Sequence, residues 1–342
     1  MSQDKITLAD VARRAGVSAM SVSNFVNGRH GAMTETTRDR IAEAVTALNY
    51  RPHSAARSIR SARTWSIGLI VVDESPTYLS DGYTTQVVSG LGDMLNARGY
   101  TLQLEGLPAG RLSQSRLIRH RQTDGLCVLP SGDQAARRRI IATVAATGQP
   151  VVLLLETLPR SIADGCAVLQ SDRKGARELA MHLLASGAQR ILCLKQTYNQ
   201  WQAVAERQAG ITDAVEASGE GAHLDVLGCG EGTFEDVTNA LSDYLVSAPM
   251  PDAIMASNDQ IGIAVLKDLK SRGISVPGEV KVTGFNAFDF WKYSDPVLTT
   301  VRSPGFELGQ EAGRAMIERL EAGRFTRRKA VLETTLQPGE TV

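Results

Sequence analysis

The residues able to do chemistry in this 342-residue chain fall into two groups. The first lies near the N-terminus: Ala19, Met20, Ser21, Ser23 and Asn24, with Arg13, Arg14 and Arg29 around them. Short and polar side chains on one helix face, beside guanidinium groups, suit insertion in a DNA major groove. The second group stands just after apolar runs: Asp73, Glu156, Ser257-Asn258-Asp259 and Asn286. Open α/β sheets bind ligands beyond the carboxyl ends of their strands, so these positions are where a ligand is expected. Catalytic signatures are lacking. The five histidines are scattered, no Ser-His-Asp set is apparent, and Gly228-Cys229-Gly230-Glu231-Gly232 is not a GxGxxG fingerprint. Cys127, Cys166, Cys193 and Cys229 have no metal-ligand spacing and read as buried free thiols in a reducing cytosol. The expectation is a binding protein, not an enzyme, with no metal and no cofactor.

The elements that would hold the first group are three short helices. Thr7 caps the first, and Asp10 three residues on completes a reciprocal capping box. Leu8, Val11, Ala12 and Ala15 fall on one face, and Gly16 follows where a left-handed C-cap favours a residue without a Cβ. Ser18 then caps a second helix that buries Val22, Phe25 and Val26. Thr34 caps a third, with Ile41, Ala44, Val45 and Leu48 at helical spacing up to Tyr50. Residues 1–64 contain Lys5 and nine arginines against five acids, a net charge of +5; the whole chain is net zero, so residues 65–342 carry −5. A basic head on an acidic body is the asymmetry of a protein whose one end meets phosphates.

Between the two, Arg51-Pro52 ends the third helix, because the residue before proline avoids the α region. The small residues Ser54, Ala55 and Ala56, the cation Arg57 and the apolar Ile59 follow. Small residues permit close approach to a narrow groove, and an apolar wedge can separate a base step. From residue 65 onwards, apolar runs alternate with amphipathic stretches. The strands expected are 67–72, 101–104, 125–129, 151–155, 167–170, 190–194, 224–227, 253–256 and 280–285. Helices are expected over 87–98, 134–147, 174–186, 203–218, 234–247, 260–272 and 306–321. Such alternation implies parallel sheets with crossover helices, and there are too many strands for one compact sheet. No stretch is long enough to span a bilayer, and the N-terminus has no apolar signal-peptide core.

The run Thr7-Leu-Ala-Asp-Val-Ala-Arg-Arg-Ala-Gly-Val-Ser18, then Leu48-Asn-Tyr-Arg-Pro52 and Ala55-Ala-Arg-Ser-Ile59, resembles the LacI/GalR-type bacterial transcription regulators, and the likeness extends over essentially the whole chain. The resemblance implies an α/β protein: an all-α helix-turn-helix headpiece, and a two-lobed, periplasmic-binding-protein-like body with parallel doubly wound sheets. The divisions expected are 1–50 for the headpiece, 51–64 for a hinge helix, and 65–342 for the effector-binding and dimerisation domain. Lobe 1 is placed at approximately 65–165 and 297–330, and lobe 2 at approximately 166–296 and 331–342. Duplex DNA would be met by Thr7, Ser18, Ala19, Met20, Ser21, Ser23, Asn24, Asn27 and Arg29, and by Ser54, Ala55, Arg57 and Ile59 of the hinge. Ile59 stands where the family inserts a leucine in the minor groove. Asn24 stands where members usually carry Arg; an amide pairs with adenine where Arg prefers guanine, so a shifted half-site is expected.

For the body, the resemblance implies an effector between the lobes; the contacts expected are Glu156, Arg207, Phe234, Asn258, Asp259 and Asn286, with Tyr83, in a loop after the first strand that is longer than is usual for the family, as a ligand-facing aromatic. Arg207 matches the arginine of the family's effector cleft, and Phe234 its aromatic platform. At Asn286 the family usually supplies Asp. This swap removes a negative charge and makes room for an acidic effector beside Arg207. The partners expected are double-stranded operator DNA, a carbohydrate or sugar acid with or without phosphate, and a second copy in a homodimer, with no membrane and a cytoplasmic location. Most simply, the protein is a repressor whose operator affinity an effector controls. An enzyme on a doubly wound fold lacks the residues for catalysis. A secreted sugar-binding transport protein would share the body but have no use for the headpiece.

Overall fold

A computed structural model describes residues 6–26, 28, 29, 31, 33–51, 63–198, 200–219 and 221–342. The chain forms two compact units, Met1–Thr64 and Trp65–Val342. In the first, α1 (Leu8–Ala15), α2 (Ala19–Val26) and α3 (Glu35–Ala47) enclose a small core of Val11, Ala12, Ala15, Val22, Ile41, Ala44 and Tyr50. The capping box forms as expected: the Thr7 amide donates to Asp10 Oδ2 at 2.9 Å, and the Asp10 amide to Thr7 Oγ1 at 3.4 Å. Gly16 takes φ +62° at the end of α1, and Arg40 of α3 donates to the Ala15 and Gly16 carbonyls that helix geometry leaves without partners.

The second unit is built on two parallel sheets. The larger has six strands in the order β11-β5-β4-β3-β1-β2, namely Lys329–Leu332, Gly165–Gln170, Val151–Leu154, Leu126–Leu129, Ser66–Val72 and Thr101–Leu107. Its central strands β1, β3 and β4 are buried at every position because helices cover both faces, whereas the edge strands β2 and β11 are partly exposed. Ile67, Leu69 and Val71 of β1 meet α4 (Gly82–Asn96) and α11 (Gly305–Ala322) on one side. Ile70 and Val72 meet α5 (Arg116–Arg119) and α6 (Gln134–Ala145) on the other. The smaller sheet has the order β7-β6-β8-β9: His223–Gly228, Arg190–Lys195, Ala253–Ala256 and Lys281–Thr283. It is covered by α7 (Asp172–Ala185) and α8 (Gln202–Ala217) on one face, and by α9 (Phe234–Ser247) and α10 (Asp259–Ser271) on the other. Close approach of α7 and α8 depends on Gly210, where a Cβ would lie 2.1 Å from the Arg173 carbonyl oxygen.

The nine expected strands and seven expected helices are all present, with ends shifted by a few residues. The lobe divisions need correction. Residues 165–170 are a strand of the first sheet, hydrogen-bonded between β4 and β11, so the first crossing falls at Gln170–Asp172 and not at 165. β10 (Thr300–Arg302) pairs antiparallel with β12 (Thr335–Gln337), and Thr299 and Arg302 bridge to Thr283 and Asn286. The second crossing therefore lies near Ser303, not 297. The third follows Leu332, since β11 still belongs to the first sheet. Residues 298–301 read as a strand from sequence and overlap β10, whereas β11 and β12 escape sequence reading because their pairing partners are distant in the chain.

Candidate functional site

In the headpiece, the Ser21 amide donates to Ser18 Oγ at 3.1 Å, so Ser18 caps α2 as expected. Val22 is fully buried, and Met20 projects with 69% of its surface exposed. Ala19 and Arg29 are also exposed, whereas Ser21, Ser23 and Asn24 are half-buried and sit at the edge of that face. Among the described contact candidates, Thr7 is engaged in its cap. The candidates Asn27, Ser54, Ala55, Arg57 and Ile59 lie outside the described residues.

In the body, a cavity opens between the two lobes. Asp81, Tyr83, Thr84, Leu129 and Leu155 line it from the first, and Gln196, Trp201, Ala203, Val204, Arg207, Ser257, Asn258 and Asn286 from the second. Arg207, on α8, is its electrostatic centre. Its guanidinium is buried, stacks 3.8 Å from the Phe285 ring centroid, and makes three directed bonds. Nε donates to Asp172 Oδ1 at 2.8 Å, Nη1 to the Ser257 carbonyl at 2.7 Å, and Nη2 to Asn286 Oδ1 at 2.9 Å. Five N–H groups in a planar fork leave two unspent after those three bonds.

The network continues into the first lobe. Gln170 donates to Asp172 Oδ1 at 2.8 Å and to Ser303 Oγ at 3.2 Å, and it accepts from the Tyr83 hydroxyl at 2.9 Å. Thus the residues at two of the three crossings, Gln170 and Ser303, are tied to the arginine that faces the cavity. Burial raises the Asp172 carboxyl above its ordinary range against the pull of Arg207, and burial likewise raises the Tyr83 hydroxyl well above 10. Asn286 (φ +103°) and Ala287 (φ +51°) at one edge, and Leu155 (φ +54°) at another, hold positive backbone angles that side chains disfavour. Such strain concentrates at functional sites, where surrounding structure must enforce it.

Of the seven effector candidates, four line the cavity: Tyr83, Arg207, Asn258 and Asn286. Asn258 also caps α10, accepting from the Ile261 amide at 2.9 Å. The other three do not, each for a structural reason. Glu156 is buried against Arg137 of α6, with Nε donating to Oε2 at 2.6 Å, while its other oxygen accepts from the Thr157 amide. That pair aims Arg137 across the cleft at Gln202 Oε1 and the Gln200 carbonyl. Phe234 is the first residue of α9; with Thr233 spent on the cap, its ring lies on the outside beneath Lys267, 4.4 Å from the ammonium. Asp259 is fully buried behind the cavity, accepting from the Phe288 amide and the Thr300 hydroxyl, and burial pushes it up to about 7.

Sequence reading missed Asp172, which follows β5 directly and could have been found by the same strand-tip rule. It also missed Trp201, which comes from the loop after β6. Trp201 and Ala203 cross the cleft to pack on the first lobe's core.

Residues 7–53 match the profile of bacterial regulatory proteins of the lacI family, and residues 180–342 that of the periplasmic binding protein-like domain. The chain belongs to the LacI family. It is a DNA-binding transcriptional regulator with a helical headpiece and an α/β body. It is 27% identical over 327 residues to the transcriptional repressor PurR of Photobacterium profundum, covering 94% of each chain. It is 25% identical over 320 residues to the probable regulator EndR of Paenibacillus polymyxa, covering 92% of this chain and 91% of the other. Among solved structures it resembles a complex of the regulator CelR with cellobiose, with TM-score 0.71, 25% identity, and 98% and 100% of the two chains covered. The lac repressor dimer bound to operator and the anti-inducer ONPF has the same fold, with TM-score 0.82, 20% identity and 99% of each chain covered. No helix of the described residues is long and apolar enough to cross a membrane.

Proposed function

We propose that this LacI-family regulator is a homodimeric repressor whose operator affinity is controlled by a small neutral carbohydrate held between the lobes. The observation that carries the choice of ligand is the Arg207–Asp172 pair. The guanidinium charge that suggested an acidic effector is already neutralised at 2.8 Å by a buried carboxylate, and Asp81 adds another acid to the wall. An anionic ligand would meet a cavity without net positive charge. The two unspent N–H groups of Arg207, with the amides Gln196, Asn258 and Asn286, instead suit hydroxyl oxygens that both donate and accept. Trp201 and Tyr83 supply the flat apolar walls that cover a sugar ring. The complex of CelR, a relative, with cellobiose supports the carbohydrate class.

The means of control follow from the crossings. Gln170 and Ser303 lie at two of them, and both join the network that holds Arg207, so occupancy of the cavity bears directly on the segments about which the lobes rotate. Ligand binding shifts a lobe equilibrium only through a difference in affinity between two arrangements. The test is a thermal-shift screen of neutral sugars, sugar acids and sugar phosphates, followed by operator binding by the full chain with each hit. A neutral sugar should raise the melting temperature and change operator affinity at least about fivefold, the lower end of ordinary allosteric coupling. Stabilisation by acids alone would reject the neutral class.

A further inference from the structure

The outer surface of the first lobe carries a basic face that neither the cavity nor the headpiece uses. Residues 111–139 contain seven arginines, no lysine and two aspartates, a net charge of +5 on a body whose remainder is net −10. Arg137 is buried in the cleft. The other six are Arg111, Arg116, Arg119, Arg121, Arg138 and Arg139, and all are exposed. They belong to one layer. The 3-10 turn Ala109–Gln114 packs against both α5 and α6, and Leu112, Leu117, Ile140 and Ile141 share the core beneath.

Several exposed arginines elsewhere in the body are paired. Arg98 meets Glu321, Arg173 meets Asp213, Arg302 meets Glu307, and Arg314 and Arg327 meet Glu311. Among the described residues, none of the six has a carboxylate partner. The acids nearby are committed to backbone amides. Glu105 accepts from the Arg116 and Leu117 amides as well as from the Ser115 hydroxyl, Glu74 from the Ala109 amide, and Asp133 from the Ala136 amide. Six exposed guanidinium groups on and beside these adjoining elements thus have no carboxylate partner among the described residues. Planar forks of this kind are suited to phosphate oxygens, which they bind bidentately.

We propose that this face binds the phosphate backbone of duplex DNA, as a second and sequence-independent contact beside the headpiece. It rests on the reading of the chain as a DNA-binding regulator. Its occupant is the polyanion such a regulator meets at high local concentration, and its effect is to hold the body to duplex irrespective of base sequence.

The test compares three full-length proteins on a 40-base-pair duplex of random sequence by fluorescence anisotropy at several salt concentrations: wild type, a face variant (Arg116→Gln, Arg119→Gln, Arg138→Gln, Arg139→Gln) and a control. The control is Arg160→Gln, Arg177→Gln, Arg324→Gln, which removes exposed arginines outside the face that also have no carboxylate partner among the described residues. Removing one arginine–phosphate pairing lowers the slope of log affinity against log salt by about 0.9, so the face variant should lose about 2 to 4 while the control keeps the wild-type slope. Melting temperatures should be alike, since every substituted side chain is exposed. An unchanged slope in the face variant overturns the proposal, as does an equal loss in the control. If wild type binds no duplex at all, with operator or without, the regulator reading itself falls. A face variant that keeps operator binding but also keeps the slope rejects only this second contact.

Discussion

The buried pair beneath the cavity gives a quantitative test. Arg207 and Asp172 have side chains only 8% and 5% exposed, so neither charge has water to fall back on. Replacing Arg207 by Met keeps much of the volume but strands Asp172 as a buried carboxylate, and it deprives Ser257 O and Asn286 Oδ1 of charged donors. Breaking a buried pair by removing one partner costs about 3–5 kcal/mol. For a unit of this size, that is a fall in melting temperature on the order of 10 °C. Adding Asp172→Asn removes the stranded charge, and the new amide oxygen still accepts from Gln170 Nε2, now 2.8 Å away. The double variant should therefore recover about 2 kcal/mol relative to the sum of the singles, within the range measured for residues in contact. Calorimetric melts of the wild type, both singles and the double close the cycle. Strict additivity would show that Asp172 does not hold Arg207, and the neutral-ligand argument would go with it. In the same set, Arg207→Met should weaken binding of the identified sugar about 10- to 100-fold, the worth of one or two charged hydrogen bonds.

Asp259 sets a pH dependence. Its folded-state value of about 7 lies above the ordinary 3.8, so the folded protein binds the proton more tightly and stability falls as pH rises from about 4 through about 7. Asp259→Asn removes this term, so relative to wild type the variant should gain up to about 4 kcal/mol between pH 4 and pH 8; a constant difference in denaturant midpoints would contradict the burial argument. Thr7→Ala removes the cap of α1 and should cost the headpiece about 1 kcal/mol, read from its own thermal transition; no change would deny the capping box a role. Gly210→Val drives a side chain into the Arg173 carbonyl where α7 and α8 meet and should abolish the folded body, as judged by near-ultraviolet circular dichroism. Asn24→Arg should change base preference at one operator position, and identical motifs selected from random duplexes by both proteins would reject that contact.

The local signals in this chain were legible without a structure because their physics is local. Thr7, Asp10, Gly16, Ser18 and Thr34 announce helix ends by chemistry that acts over three or four residues. The alternation of apolar runs with amphipathic stretches likewise announces parallel sheets, since βα units are consecutive in sequence. Strand-tip reasoning reached Asn258, Asn286 and, through the loop after the first strand, Tyr83 for the same reason, and the resemblance to known regulators supplied Arg207.

What the sequence left open depends on residues far apart in the chain. That Glu156 serves Arg137, that Asp259 locks Phe288 and Thr300, and that Phe234 faces outward are outcomes of packing between elements. So is the pairing of Arg207 with Asp172, thirty-five positions away, which is the ground for proposing a neutral ligand in place of the acidic one expected from the sequence. The membership of Gly165–Gln170 and Lys329–Leu332 in one sheet is likewise a pairing across more than a hundred and fifty residues. Side-chain charge is written in the sequence; whether another charge has already spent it is decided only when the chain folds.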